Sequence, residues 1–224
     1  MHLQIPGARQ RADPALTQSS PDPDDLKVPA YATGMRIGLF GGSFNPAHEG
    51  HRLVALECLK RLRLDRLWIL VSPGNPLKDH SNLAPLADRI AVARAVIDDP
   101  AIDVTGFEAQ RGFTYSFETL EFLTNSAPDV NFVWIMGADN LEHFDRWERW
   151  QDIANMVPMA IYARPGSALR APLSKAATAL EAFRIAEAEA ETLAERSPPA
   201  WVYLHGIMSG MSSTAIREGR ATSK

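Results

Sequence analysis

The fold of this chain is decided where residues 35–51 read Met35-Arg-Ile-Gly-Leu-Phe-Gly41-Gly-Ser-Phe-Asn-Pro-Ala-His-Glu-Gly-His51. The apolar run at its start predicts a buried strand, and Gly41 with Gly42 lets the backbone turn tightly after that strand. Apolar residues then recur at helical spacing over residues 51–64. A strand, a glycine turn and a helix in this order form the first half of a parallel βαβ unit.

The same alternation continues to the end of the chain. Further strands are predicted over residues 67–71, 102–105, 130–136, 157–163 and 201–204. Further helices are predicted over residues 85–97, 117–124, 145–156 and 174–196, with a last helix from residue 213 onward. Strand and helix alternate roughly six times, which predicts an α/β fold: a single-domain, Rossmann-like, doubly wound parallel sheet.

The first part of the chain differs in composition. Residues 1–34 hold five prolines and a polar run over residues 17–25, without periodicity. We expect this segment to be a disordered tail and residues 35–224 to form the domain. Met35 opens the first strand, and a start of the natural chain at Met35 is a hypothesis that follows.

Composition excludes several classes of protein. Of the 224 residues, 46% are hydrophobic and 22% are charged, as in ordinary globular proteins. The single cysteine, Cys58, excludes an intramolecular disulfide and a cysteine-based zinc site. The net charge of −4 argues against a dedicated nucleic-acid binder. No apolar run approaches membrane-spanning length and no apolar signal segment opens the chain, so we expect a cytoplasmic protein without membrane contact.

Ligands of such sheets bind beyond the carboxyl ends of the strands. His48, Gly50 and His51 stand where the first helix begins, and the free N–H groups of a helix N-terminus favour phosphate. The two histidines are three residues apart, which fails the zinc pattern His-Glu-x-x-His. The chain also lacks the P-loop, the dinucleotide-binding glycine pattern and the Gly-x-Ser-x-Gly elbow.

Polar residues follow other strands as well. Taken singly, each has an ordinary explanation: a surface lysine for Lys78, and helix N-caps for Asp139 and Ser212. Hydroxyls followed by an arginine at a helix start nevertheless form a second phosphate cradle. Together with the loop of residues 41–51, these make four polar loops on one sheet edge, and the combination favours a nucleoside triphosphate. The residues concerned are Lys78, Gly137, Asp139, Ser212, Ser213, Thr214 and Arg217.

Residues 41–51 and the later stretch Met211-Ser-Ser-Thr-Ala-Ile-Arg217 resemble the signature pair of the HxGH nucleotidylyltransferase superfamily. The resemblance covers about residues 35–219 and is nearest to the bacterial nicotinate-nucleotide adenylyltransferases. The chain departs from the family pattern at Ser43 and Asn45, and it lacks a histidine before Lys78. The intermediate pieces of the resemblance are Gly74-Asn-Pro-Leu-Lys78, Thr114-Tyr-Ser116, Gly137-Ala-Asp139, Trp147 and Ala163-Arg-Pro-Gly166.

The resemblance implies adenylyl transfer from ATP to nicotinate mononucleotide, with Mg²⁺ carried mainly by ATP and no metal site on the protein. It implies catalytic roles for His48, His51, Lys78 and Arg217. It implies ATP binding by Gly41, Gly42, Ser43, Gly50, Gly137, Asp139, Ser212, Ser213 and Thr214. It implies nicotinate mononucleotide binding by Asn45, Thr114, Tyr115, Trp147 and Arg164.

Two expectations within the substrate site are specific. By the resemblance, Trp147 stacks on the pyridine ring, although helical spacing with Trp150 is also typical of a core residue. The backbone N–H groups of Thr114 and Tyr115 are expected to bind the nicotinate carboxylate. An adenylyltransferase that prefers nicotinamide mononucleotide and a non-catalytic ATP-binding sensor are the alternatives, and monomer and homo-oligomer both stay open.

Overall fold

The computed structural model describes residues 20–74, 82–163 and 170–206, together with residues 213 and 216. One sheet of seven strands lies at its centre, and all its pairings are parallel. The strands are β1 Arg36–Gly42, β2 Arg66–Val71, β3 Ile102–Thr105, β4 Asn131–Gly137, β5 Met159–Tyr162, β6 Arg184–Ile185 and β7 Trp201–Leu204. Their order across the sheet is β3-β2-β1-β4-β5-β7-β6.

Helices connect the strands. The described α-helices are α1 Glu49–Arg61, α2 Leu86–Val96, α3 Phe107–Arg111, α4 Ser116–Ser126, α5 Ala138–Leu141, α6 Trp150–Met156 and α7 Lys175–Ala179. None of the helices in the described part of the chain is long and apolar enough to cross a membrane.

The two faces of the sheet carry separate hydrophobic layers. In β2, Trp68 and Leu70 belong to one layer, and Leu67 and Ile69 belong to the other. Successive side chains of a strand point to opposite faces, so a strand covered on both faces is apolar throughout. This double covering explains the continuous apolar runs in the sequence and confirms the predicted doubly wound α/β fold.

The predicted disordered tail is wrong for residues 20–34, which we call the N-terminal strap. The strap contains a short 3-10 helix, Pro23–Leu26, and it packs on the end of β3. Thr105 Oγ1 donates to the Lys27 carbonyl at 2.7 Å, and Gly106 N donates to the Asp25 carbonyl at 2.8 Å. Tyr31 lies against Trp68, with ring centroids 6.2 Å apart. Residues 1–19 lie outside the described residues, and the start at Met35 stays a prediction.

The single long helix predicted over residues 174–196 is also wrong. In its place stand α7, a 3-10 turn, the edge strand β6, and a 3-10 helix, Glu187–Glu195. The Leu180 carbonyl accepts a hydrogen bond from Trp201 Nε1 at 2.8 Å, and α7 ends there. The Glu187 carboxylate is held by Arg61 Nη2 at 2.5 Å and by His205 N at 2.7 Å. Contacts between distant parts of the chain therefore override the helix propensity of an Ala/Glu-rich stretch.

A second helix boundary differs from the prediction. Residues 145–156 were expected to be helical throughout, but α6 begins only at Trp150, after a 3-10 turn, Phe144–Arg146. Arg149 takes a left-handed backbone conformation with φ of 51°, which separates the two elements. Most of the last predicted helix lies outside the described residues, and Ser213 and Ile216 within it are helical.

Arg89 on α2 joins the loops that follow β1 and β2. Its side chain is buried, and Nη1 donates to the Ser43 and Ser72 carbonyls, each at 2.7 Å. Nε donates to the Ala84 carbonyl at 2.9 Å. Burial lowers the pKa of this guanidinium from its ordinary value. One guanidinium thus donates to three carbonyls and joins the loops that carry them.

Removal of the N-terminal strap should lower the thermal midpoint. A chain that begins at Met35 loses the strap's hydrogen bonds to Thr105 and Gly106, each worth about 1 kcal/mol net. We expect a fall of about 4–8 °C, because a protein of this size loses about 2–4 °C per kcal/mol. Calorimetry of the full chain and of chains beginning at Ser20 and Met35 checks this. Equal midpoints for the Ser20 and Met35 chains would show that the strap contributes nothing.

Arg89→Met should destabilise the fold by about 3 kcal/mol, because it leaves three partly buried carbonyls without their donor. Arg89→Lys should recover only part of this loss, since an ammonium lacks the planar fork. Arg196→Met is the control, because Arg196 forms an exposed ion pair with Glu189 that should contribute at most about 1 kcal/mol. Urea unfolding midpoints of the three variants measure the difference, and equal midpoints for Arg89→Met and Arg196→Met would contradict it.

Candidate active site

The candidate site lies at the carboxyl edge of the sheet, where the strand order reverses. β1 pairs with β2 on one side and with β4 on the other, so chain connections leave β1 in opposite directions. Such a switch point opens a crevice at the carboxyl ends of the strands. The first signature loop, residues 41–51, leaves β1 at this point.

Close packing shapes the beginning of that loop. A Cβ on Gly41 would lie 2.6 Å from Trp134 Cη2, so only glycine fits against this indole. Phe44 takes a positive φ of 44°, which is a strained conformation for a bulky residue. Its buried ring packs on Phe40 with centroids 5.6 Å apart and on His51 with centroids 4.9 Å apart. The aromatic contacts hold the loop in its strained shape.

The two histidines of the loop form a compact pair at the start of α1. Both are buried, and their ring centroids lie 3.9 Å apart. His48 is the N-cap residue: its Nδ1 accepts from Gly50 N at 3.1 Å. In turn, His48 N donates to His51 Nδ1 at 3.2 Å. Gly50 is also buried, and its N–H takes part in the cap.

These caps determine which ring nitrogen carries a proton. An Nδ1 atom that accepts a backbone N–H bears no hydrogen in the neutral ring, so the proton lies on Nε2. Both His48 and His51 therefore carry an Nε2–H, the group that can donate to an anionic oxygen. The helix N-terminus beside them adds a positive dipole end. This end of the site is suited to a negatively charged ligand such as a phosphate.

The structure brings the second signature to the first at one described residue. Ser213 Oγ donates to the Pro46 carbonyl at 2.9 Å, a contact between positions 167 residues apart. Five other predicted site residues lie outside the described residues. These are Lys78, Arg164, Ser212, Thr214 and Arg217.

A cavity of about 230 Å³ opens beside the signature loop. It contains several predicted site residues, namely Gly41, Gly42, Ser43, Thr114, Tyr115 and Trp147. Trp147 packs edge-on against Trp134 and Phe144, with centroids 6.4 and 5.4 Å away. The tryptophan thus belongs to the edge of the core and also lines the cavity. Aromatic and polar walls together suit a planar ring with a polar substituent.

Other predicted residues lie away from the cavity wall. Gly137 ends β4, and Asp139 is exposed in the first turn of α5. Asn45 is buried, and its amide joins the signature loop to the start of α2. Its Nδ2 donates to the Asn82 carbonyl at 2.8 Å, and its Oδ1 accepts from Ala84 N at 3.2 Å. Asn45 therefore stabilises the contact between these two segments, and its part in substrate binding stays a prediction.

The segment expected to bind a carboxylate already holds one. The backbone N–H groups of Thr114 and Tyr115 both donate to Glu118 Oε2, at 2.7 and 2.9 Å. Glu118 is the third residue of α4, and this arrangement is a capping box. An anionic ligand would therefore have to displace Glu118 to reach both N–H groups. The structure differs here from the expected arrangement of open donors.

Sequence reasoning missed a buried acid in the cavity wall. Glu108 on α3 lines the cavity and is 7% exposed. Its Oε1 accepts from Thr119 Oγ1 at 2.6 Å. Burial raises the pKa of Glu108, with the Thr119 hydrogen bond acting in the opposite direction. A single glutamate in an amphipathic stretch carries no motif, so the sequence offered no signal for it.

The described residues contain no group of three or more His, Cys, Asp or Glu side chains that could hold an ion. Mg²⁺ rarely receives a full protein cage and usually binds through phosphate oxygens and waters. That Mg²⁺ arrives on ATP stays a prediction of the resemblance.

Comparison with known proteins agrees with this geometry. Residues 39–219 match the family model described as cytidylyltransferase-like. A probable nicotinate-nucleotide adenylyltransferase of Methylorubrum extorquens is 56% identical over 183 residues, covering 82% of this chain and 99% of that protein. One of Rhizobium johnstonii is 49% identical over 196 residues, covering 88% of this chain and 98% of that protein.

Solved structures show the same fold at low identity. Two structures of the Plasmodium falciparum nicotinic acid mononucleotide adenylyltransferase, complexed with APC and with NaAD, have TM-scores of 0.55 and 0.58. Each is 15% identical and covers 82% of this chain and 83% of the other. Together, the family model and the curated relatives show that this chain belongs to the cytidylyltransferase-like family, among the nicotinate-nucleotide adenylyltransferases.

Proposed function

We propose that the protein transfers the adenylyl group of ATP to nicotinate mononucleotide, forming deamido-NAD and pyrophosphate in NAD biosynthesis. The observation that carries the proposal is the capped pair of His48 and His51 beside an aromatic cavity at the switch point. Relatives that share about half of their residues with this chain are named for this activity. One end of the site suits phosphates and the other suits a pyridine ring.

The reaction needs little covalent help from the protein. A phosphate oxygen of nicotinate mononucleotide attacks the α-phosphorus of ATP, and the bond from that phosphorus to the pyrophosphate oxygen breaks. The attacking phosphate monoester is largely dianionic at neutral pH, since its second pKa is about 6. No general base is required. Catalysis consists of alignment and of stabilising charge on the α-phosphate and the leaving pyrophosphate.

We assign donation to these oxygens to the Nε2–H groups of His48 and His51. His51 is the residue we assign to the α-phosphate in the transition state, and His48 holds the loop and a neighbouring phosphate. The resemblance assigns the triphosphate to Lys78, Ser212, Ser213, Thr214 and Arg217. Ser213 is bonded to the signature loop at Pro46, which supports this assignment.

The cavity beside the loop is the proposed site of nicotinate mononucleotide. Trp147 and Trp134 offer aromatic surface to the pyridine ring, while Thr114 and Tyr115 line the same wall. By the resemblance, Asn45 and Arg164 complete this subsite, and Gly41, Gly42, Ser43, Gly50, Gly137 and Asp139 contact the nucleotide of ATP.

Mg²⁺, bound by ATP oxygens, would neutralise part of the charge on the pyrophosphate. The proposed location of the enzyme is the cytoplasm.

Two alternatives make different predictions. An enzyme that prefers nicotinamide mononucleotide would have to accept an amide where the relatives named above take an acid. A non-catalytic sensor would bind ATP through the same loops without releasing pyrophosphate. The intact His48–His51 pair favours an enzyme over a sensor.

Nicotinate mononucleotide should be the fastest acceptor. With ATP and Mg²⁺, we expect pyrophosphate release at least about tenfold faster than with nicotinamide mononucleotide, because donors that suit a carboxylate are left facing an amide NH₂. Phosphopantetheine, which lacks the pyridine ring, should give no release. A coupled pyrophosphate assay with the three acceptors measures this. Equal or reversed rates would reject the acid assignment, and ATP binding without any release would favour the sensor.

His51→Ala should lower kcat by about 10²–10³-fold with a much smaller effect on the Kd of ATP, because it removes one transition-state donor. The alanine also removes the acceptor of His48 N, so His51→Asn is the sharper variant. Asparagine retains an acceptor near Nδ1 and lacks the Nε2–H. Both variants should lose turnover to a similar extent, as measured by pyrophosphate release and by calorimetric titration with ATP.

The control for this test is His143→Ala. His143 is exposed and lies outside the cavity wall, so its loss should leave kcat within about twofold. Near-normal turnover in His51→Asn would remove His51 from catalysis.

A further inference from the structure

The cavity proposed for the pyridine ring has a sparse set of charges. Among the described residues that line it, three have an acidic or basic side chain: Glu108, Arg146 and Glu148. Glu108 is buried and accepts from Thr119, and burial favours its uncharged form. Arg146 and Glu148 are exposed residues that also line the cavity. Arg146 is therefore the cation that the described residues offer to a ligand in this cavity.

The neighbouring arginines are engaged elsewhere. The Arg111 guanidinium lies over the Phe122 ring, 4.2 Å from its centroid. The Arg149 guanidinium lies 3.6 Å from the Phe117 centroid, and its Nε donates to Asp152 at 2.7 Å. Within the described ranges, no side-chain hydrogen bond or ion pair involves Arg146. Even Glu148, two residues away, forms no ion pair with it.

The expected alternative donors are already in use. The N–H groups of Thr114 and Tyr115 both donate to the Glu118 carboxylate. A ligand carboxylate that entered this wall would meet Glu118, an anion that repels it. Recognition by the Arg146 guanidinium requires no such displacement. A guanidinium also binds a carboxylate through two parallel N–H bonds, which an amide cannot accept in the same way.

We propose that Arg146 is a specificity-determining residue that binds the carboxylate of the pyridine ring and makes the enzyme prefer the acid over the amide. The assignment rests on the proposed function, because it names the residue that recognises the carboxylate of the substrate in that reaction. Arg146 adjoins Trp147, so one turn of chain presents the ring surface and the charge together.

Arg146→Gln tests the proposal. We expect the KM for nicotinate mononucleotide to rise about tenfold while kcat changes less than about threefold, because the lost pair acts equally on the bound substrate and the transition state. The KM for nicotinamide mononucleotide should stay within about twofold. The ratio of kcat/KM for acid over amide should therefore fall about tenfold, which corresponds to about 1.4 kcal/mol. Arg146→Lys should give an intermediate ratio, since it retains the charge without the fork.

Arg149→Gln is the matched control. Arg149 lies three residues further along, is also exposed, and does not line the cavity. Its loss should leave the acid-to-amide ratio unchanged, whatever its effect on the melting temperature. An unchanged ratio in Arg146→Gln would overturn the proposal, as would an equal loss with both acceptors, which would place Arg146 on a group they share. Absence of acid-dependent turnover in the unsubstituted protein would instead reject the proposed function.

Discussion

The candidate site depends on one buried guanidinium. Arg89 satisfies the Ser43, Ser72 and Ala84 carbonyls at once, so the loops after β1 and β2 and the start of α2 share a single anchor. Burying a charge is costly unless every donor is used, and here the gain depends on three separate segments lying correctly. The anchor therefore couples the loop geometry to the fold of the whole sheet. The strained turn at Phe44 and the histidine cap downstream both rely on a loop that begins in the right place.

The architecture could be predicted from the sequence wherever local pattern and tertiary burial agree. β1 and β2 are interior strands of the sheet and are covered on both faces. Their sequences are therefore plain apolar runs, and their positions could be predicted. The stretch over residues 174–196 was misjudged because its helix propensity competes with distant contacts, namely the Leu180 carbonyl to Trp201 and Glu187 to Arg61. The strap was predicted to be disordered because its composition is proline-rich and polar. Its order comes from backbone carbonyls that accept hydrogen bonds from Thr105 and Gly106, and composition does not show such contacts.

The same distinction holds for the site. The geometry of His48 and His51 follows from contacts between residues two and three positions apart, which is why their short motif was informative. Glu108 and Arg146 reach the cavity from two separate connections, and no local motif marks either residue. Glu118 is the intermediate case: a glutamate at the third position of a helix is a capping signal in the sequence, and it could have shown that the Thr114 and Tyr115 N–H groups are taken.

The arrangement also explains why the site contains aromatic rings, cations and capped histidines rather than a catalytic base. When the acceptor's own phosphate is the nucleophile, the protein has to align two anions that repel each other and to stabilise the charge that develops between them. Rigid loops make alignment possible without reorganisation, and donors at a helix N-terminus act where the charge appears. An ionised acid near the acceptor would oppose this, and burial of Glu108 favours its uncharged form. In the proposed enzyme, the cavity can then use charge for recognition alone, at the end of the site assigned to the pyridine ring.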